Sequence, residues 1–273
     1  MRIKPKKSLG QNFLADKNIQ RKIILTCGLN RGDIILEIGA GRGELTLLIA
    51  QDARQVYALE IDWRLADILK DNLRDYSSVK IICQDILKFD LNSLFLEKEF
   101  DCRLKVIGNI PYYITTPIIE YLLRYRDKID VIFLTVQKEL AERITAVYGS
   151  KRYSAFSCFL QYYTLPETLF TIKNNCFRPV PKVDSCFLKL KIREKPAVEV
   201  KNEVLLFTII RAAFNQRRKI LRNSLEGIIP QDKLEKFFTE FKISSNIRPE
   251  QLRLQDFAGL ADILSRDRAC PCP

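Results

Sequence analysis

Histidine is absent from this chain of 273 residues. That absence removes the Ser-His-Asp and Cys-His routes to nucleophilic catalysis, along with every histidine-ligated metal site. No apolar run approaches the roughly 18 residues needed to cross a bilayer, so no membrane contact is expected. The first fourteen residues, MRIKPKKSLGQNFL, are basic and lack the apolar stretch of a secretory signal. None of the eight cysteines forms a CxxC pair. Five of them lie within apolar runs and read as small core residues, a pattern of the reducing cytoplasm. Cys270-Pro271-Cys272 could oxidise or hold a soft metal, but it reads as a frayed tail, and no metal site is expected.

Positive charge is plentiful. Forty-five Lys and Arg stand against 33 Asp and Glu, a net +12. Such an excess points to a polyanionic partner. With 47% hydrophobic residues the chain also has enough apolar surface to fill a core.

Between about residues 33 and 137, β-rich runs alternate with helical patterns. DIILEIG, QVYALEI, VKIICQD, LKVIGNI and DVIFLTV are nearly continuous in Val, Ile and Leu, as strands covered on both faces require. ELTLLIAQ, WRLADILKDNL, TPIIEYLLRY and KELAERITAV carry apolar residues at helical spacing. The alternation predicts an α/β fold with a mostly parallel, doubly wound sheet. SCFLKLKI (185–192) alternates and is expected to join that sheet. REKPAVEVKNE reads as a linker, and helical patterns follow at 203–227, 231–241 and 248–266. Two domains result, 1–194 and an all-helical 195–273.

LEIGAGRGEL follows the first of these strands and opens a helix. Glycines there permit tight turning and close backbone approach to a ligand. A dinucleotide fold needs G-x-G-x-x-G/A, and counting from Gly39 the last position falls on Glu44. The pattern present is E-x-G-x-G-x-G, with Glu37 inside the strand, and it resembles the loop of class I methyltransferases. Glu60 ends the second strand, where a carboxylate can accept both hydroxyls of a ribose. Asp85 ends the third, where it can accept from an adenine amino group. Acids at successive carboxyl ends of one parallel sheet line a single crevice.

Asn109-Ile110-Pro111-Tyr112 ends the fourth strand at the same sheet edge. As a turn signal it needs no function. It also matches the N/D-P-P-Y/F/W pattern of enzymes that methylate exocyclic amines. An adenine N6 lone pair is delocalised into the ring and is a poor nucleophile. An amide oxygen and a backbone carbonyl accepting from the NH2 group favour the pyramidal nitrogen that attacks in line, with no obligatory general base. Pro111 fixes the backbone so that its carbonyl can be aimed. Tyr112 offers a face for a flipped base, with Phe177 as candidate for the opposite face.

Taken in order, LGQNFL, EIGAGRGELT, ALEID, QDIL, NIPYYIT, VQKELAERI, FRPVPKVDS, AAFNQRRKILRNSL and RPEQL resemble the ribosomal RNA adenine N6,N6-dimethyltransferases nearly end to end, in particular those of the small subunit. The resemblance implies S-adenosylmethionine as cofactor, bound by Asn12, Leu14, Gly39, Gly41, Glu60, Ile61, Asp85, Ile86 and Asn109. Asn109 would also touch the target amine, and Tyr112 and Phe177 would sandwich the adenine. The implied substrate is a pair of adjacent adenines near the 3′ end of small-subunit rRNA, in a pre-ribosomal particle, acted on by a cytoplasmic monomer. Ala40 departs from the family's frequent proline, which loosens the backbone without losing a contact.

Arg217, Arg218, Lys219 and Arg222 form a basic cluster expected to meet RNA phosphates, while Phe214, Ile220, Leu221 and Leu225 pack the same segment. Lys4, Lys6, Lys7, Lys151 and Arg152 are weaker candidates. Two rivals stay open: a large-subunit rRNA adenine methyltransferase of the antibiotic-resistance type, and a non-catalytic assembly factor on the same fold.

Overall fold

The computed structural model describes residues 6, 9–96, 102–216 and 219–266. The chain divides into two compact units, residues 1–141 with 167–192, and residues 142–166 with 193–273.

The first unit is built on a seven-stranded sheet. A two-residue strand β1 (Phe13–Leu14) leads into α1 (Lys17–Cys27). Asp16 caps α1 by accepting from the N–H groups of Asn18 and Ile19, and Gly28 ends it in the left-handed region. Then come β2 (Ile34–Ile38), α2 (Glu44–Asp52), β3 (Gln55–Glu60), α3 (Trp63–Leu73), β4 (Val79–Cys83), β5 (Leu104–Gly108), α4 (Thr115–Leu123), β6 (Ile129–Gln137) and α5 (Lys138–Ile144). After α6 (Ala155–Tyr163) the chain returns through β7 (Thr164–Ile172), β8 (Phe177–Arg178) and β9 (Ser185–Ile192).

Strand order is β4-β3-β2-β5-β6-β9-β7. The pairs β2–β3, β3–β4, β2–β5 and β5–β6 are parallel, and β6–β9 is antiparallel. All five residues of β2 are buried, in keeping with the four apolar side chains of IILEI, and Glu37 is buried among them. The order reverses between β2 and β5, so a crevice opens at the carboxyl ends of β2, β3, β4 and β5. Beneath it Ile35, Ile49, Val56, Ile107, Phe133 and Phe187 form part of one core.

The mostly parallel sheet and the five strands of the βαβ run agree with the sequence, as does β9. Five of the elements named above were not foreseen: α1, β1, β7, β8 and α6. The pair β1–β8 joins only two residues from each strand. β7, TLPETLFTI, contains Pro166 and is largely exposed, as an edge strand is. The helix α6 is closed by a capping box between Ser154 and Ser157.

The second unit contains α6, α7 (Glu203–Asn215), α8 (Leu221–Ser224), α9 (Gln231–Glu240) and α10 (Leu254–Arg266). The expected linear division at 194/195 differs from the observed one by residues 142–166 and 193–194. The backbone N–H groups of Arg193 and Ala197 donate to the carbonyls of Tyr163 and Tyr162, fastening the start of the linker to the end of α6. The single helix expected over 203–227 is two helices. Gln216 leaves helical geometry at φ −124° and ψ 70°, which ends the first of them.

Cys27, Cys158 and Cys186 are buried free thiols, while Cys83 is exposed on the edge strand β4. Cys270 and Cys272 lie outside the described residues. Among the described residues no helix is long and apolar enough to cross a membrane.

Candidate active site

The loop between β2 and α2 turns through three glycines of positive φ, Gly39 (76°), Gly41 (62°) and Gly43 (89°). Gly43 opens α2, and a Cβ there would stand 2.7 Å from Leu69 Cδ1. Only glycine suits that position.

Gly41 N–H donates to Glu60 Oε2 at 2.9 Å, and Asp62 N–H donates to Glu60 Oε1 at 2.9 Å. Glu60 is 5% exposed. Burial raises its carboxyl above the ordinary range, opposed by these backbone donors. Each carboxylate oxygen keeps a second lone pair, so the two N–H groups fix the plane of the group without exhausting it. Asp85 accepts the N–H of Leu87 at Oδ1, 3.0 Å, leaving Oδ2 without a hydrogen-bond partner among the described residues.

One cavity of about 100 Å³ collects Gly39, Gly41, Glu60, Asp85 and Asn109. Asn12, Ile61, Ile86, Pro111, Tyr112 and Phe177 also line it. Leu14 does not. It packs in the core and lines a smaller recess beside Glu37. Phe177 is 1% exposed and belongs to that core, so little of its ring is open to a base.

At the end of β5, Asn109 Nδ2 donates to the backbone carbonyl of Asn12 at 3.2 Å. The amide is thereby oriented, and Oδ1 is left as an acceptor without a partner among the described residues. The carbonyl next to it is a correction to the sequence reading. Pro111 C=O accepts from Ile114 N–H at 3.2 Å and from the Thr115 hydroxyl at 3.4 Å, closing the turn into α4. Ile110, whose carbonyl accepts from no described residue, also lines the cavity.

Two residues that the sequence did not single out shape this corner. Ser185 is fully buried at the start of β9, and its hydroxyl meets the Tyr112 phenol at 2.6 Å. Its inward phase in SCFLKLKI was visible; its partner was not. Asp62 has a fully buried side chain that accepts from Arg64 Nη2 at 2.6 Å, and from Lys6 Nζ and Gln11 Nε2 at 3.4 Å each. The Arg64 guanidinium foremost holds its carboxyl well below the usual range. Through Asp62 the segment carrying Leu9, Gly10, Gln11 and Asn12 is tied across one wall of the cavity.

Glu37, inside β2, is 2% exposed and its Oε2 has no hydrogen-bond partner among the described residues. Burial pushes its carboxyl up to about 8, an effect the Thr46 hydroxyl reduces and the charges of Glu60 and Glu44 increase.

The basic cluster is only partly in view. Arg217 and Arg218, like Lys4 and Lys7, lie outside the described residues. Lys219 is exposed. Arg222 is ion-paired with Glu235 at 2.5 Å and lies over the Phe238 ring, so its charge is met within the protein. Phe214, Leu221 and Leu225 are buried, in keeping with the packing role read from the sequence. Arg152 is paired with Glu142.

Comparisons with known proteins bear on the whole chain. The model of a family described as ribosomal RNA adenine dimethylase matches residues 2–266. The chain is 44% identical over 263 residues to a ribosomal RNA small subunit methyltransferase A of Lachnoclostridium phytofermentans, covering 94% of this chain and 91% of that protein. The protein of the same name from Bacillus pumilus is 42% identical over 267 residues, covering 96% and 91%. Among solved structures, a dimethyladenosine transferase from Plasmodium falciparum superposes with a TM-score of 0.76 at 25% identity, covering 94% of this chain and 98% of that one. The 23S rRNA methyltransferase ErmE superposes with a TM-score of 0.73 at 26% identity, covering 93% and 99%.

Proposed function

The chain belongs to the ribosomal RNA adenine dimethylase family and is an rRNA adenine dimethyltransferase; from that premise we propose that it methylates N6 of two adjacent adenines in a hairpin loop near the 3′ end of small-subunit rRNA. The proposed donor is S-adenosylmethionine and the proposed setting a pre-ribosomal particle. The observation that carries the reading is the convergence, in one cavity, of the Glu60 and Asp85 carboxylates with the unpartnered Oδ1 of Asn109.

The residues present fit that donor. Glu60, its plane fixed by two N–H groups, keeps lone pairs for a ribose diol. Asp85 Oδ2 is free to accept from an adenine amino group, and Ile61 and Ile86 supply apolar walls. S-adenosylmethionine supplies a methyl group made electrophilic by its sulfonium.

The chain then has to present the target amine. Asn109 Oδ1 and the Ile110 carbonyl accept its two N–H groups, which draws the nitrogen lone pair out of conjugation and aims it. The new N–C bond forms as the S–C bond breaks, and the surplus amine proton leaves to solvent. Tyr112 holds the base by its ring face. No histidine and no general base is required.

A large-subunit substrate is disfavoured by the comparison itself. Identity is 44% to a small-subunit relative against 26% to the 23S enzyme.

The test uses small ribosomal subunits from cells lacking the modification, incubated with the protein and methyl-labelled S-adenosylmethionine. Label should appear as dimethyladenosine at two adjacent adenines near the 3′ end. Label on large-subunit RNA alone would overturn the substrate. Tight particle binding without methyl transfer would overturn the reaction.

A further inference from the structure

The second unit carries a cationic groove that the methyl-transfer site does not use. It has a volume of about 490 Å³ and is lined by Arg193, Arg253, Tyr148 and Gln161, with Thr145, Gln255 and apolar neighbours. No acidic residue is among those lining it.

Arg193 is held at one edge. Its Nε donates to the carbonyls of Gln161 at 3.1 Å and Thr164 at 3.0 Å. No described residue hydrogen-bonds its two terminal amino groups, and no carboxylate pairs with it. A guanidinium anchored through Nε with its fork unspent is pre-organised for a second planar, bidentate anion.

Arg253 is a weaker captive. Its contacts to the Asp256 carboxylate are long, 3.4 Å from Nε and 3.5 Å from Nη2, and its side chain is 57% exposed. Its Cζ lies 6.0 Å from the centroid of the Tyr148 ring, which is itself 54% exposed.

The segment bearing Tyr148 is braced rather than loose. Gln161 Nε2 donates to the carbonyls of Ile144 at 3.1 Å and Ala146 at 2.8 Å. Gly149 N–H donates to Glu250 C=O at 2.6 Å. An exposed aromatic face on a fixed backbone, beside two guanidinium groups, matches the parts of one nucleotide: a π-face for the base and forks for the phosphodiester.

We propose that this groove is a second RNA-binding site, in which Arg193 and Arg253 take an rRNA phosphodiester and Tyr148 stacks an unpaired base. The inference rests on the rRNA substrate proposed above and adds to it a point of attachment on the other unit. The site holds the particle and performs no chemistry.

The test measures equilibrium binding to unmethylated small ribosomal subunits across a salt series. Wild type, Arg253→Gln, Arg193→Gln and Tyr148→Ala are compared, with S-adenosylmethionine affinity and thermal melting as controls on the fold. Arg253→Gln, at an exposed position, should weaken particle binding about tenfold and flatten the slope of log K against log salt by about 0.7–0.9, one phosphate contact. Tyr148→Ala should weaken binding to a similar extent and leave the slope unchanged. Wild-type affinity and slope in Arg253→Gln would overturn the site. So would a Tyr148→Ala variant that binds normally while inorganic phosphate erases the effect of Arg253→Gln, since that describes a simple phosphate site. Methyl transfer is read in the same samples. Transfer with no variant effect removes the groove and leaves the enzyme; variant effects without transfer remove the proposed reaction and leave the groove.

Discussion

The phenol of Tyr112 and the hydroxyl of Ser185 meet at 2.6 Å. Tyr112 stands in the turn that follows Pro111, and Ser185 opens β9 opposite Gln137 of β6. A side chain that lines the cavity is thus fixed at its far end by a fully buried residue of the sheet. The ring keeps its face for a ligand while losing freedom to swing.

That bond makes Ser185 a positioning residue for the proposed adenine clamp. Ser185→Ala should lower kcat about three- to tenfold, a charge-neutral hydrogen bond's worth of about 1 kcal/mol, with donor affinity unchanged. Ser185→Thr, which keeps the hydroxyl, should recover most of the rate. Steady-state kinetics on unmethylated subunits decides it. Equal loss in both variants, tracking their melting temperatures, would mean that Ser185 only packs.

Asn109→Ala removes the proposed acceptor of the target amine. Loss of one positioned electrostatic partner should cost about 10²–10³ in kcat. Particle binding, spread over many contacts, should change little. Single-turnover methyl transfer alongside filter binding separates the two. A variant that methylates within a few-fold of wild type would remove Asn109 from the reaction.

How much of this was legible beforehand follows from where each signal lies. The glycine loop, Glu60, Asp85 and Asn109 sit at the carboxyl ends of apolar strands, and strand periodicity alone brings them to one crevice. What escaped depends on pairing at long range. The partner of Tyr112 is seventy-three residues away. The aim of the Asn109 amide comes from Asn12, ninety-seven residues away. Pro111 was read as aiming its own carbonyl, yet that carbonyl closes the next turn and leaves Ile110's free. Leu14 shares a motif with Asn12, yet it packs in the core instead of the cavity, a destination set by its long-range partners. Arg222 looked like a phosphate ligand until Glu235 and Phe238, on α9, came beside it.

Glu37 predicts a pH dependence. Its carboxyl is raised from 4.5 to about 8 by burial, so the folded protein holds a proton that the unfolded chain releases. The stability from this group is fully present below about 4.5 and is lost as pH rises through about 8. Glu37→Gln keeps the shape and cannot ionise. Over that window the melting temperature of wild type should fall relative to the variant, the gap widening with pH. Melting curves that run parallel would sink the idea.

Asp62 predicts the opposite displacement at the same site. Arg64 holds its carboxyl below the ordinary range, so the stability it contributes is present above the unfolded value of about 4 and is lost only as pH falls below that. Its contacts to Lys6 and Gln11 tie down the segment that lines the cavity with Leu9, Gly10 and Asn12. Asp62→Asn removes the charge those donors share. The segment should open more often and the donor should leave several-fold faster, while Tyr112, held by Ser185, stays in place. Stopped-flow dissociation of S-adenosylmethionine measures this. Because wild-type Asp62 stays ionised from about pH 5 to 9, the ratio of variant to wild-type rates should be flat across that range. A ratio that varies with pH would assign the hold to a group that titrates there, with Glu37 the first to examine. An unchanged dissociation rate would show that the β1–β8 pair suffices to keep the segment closed.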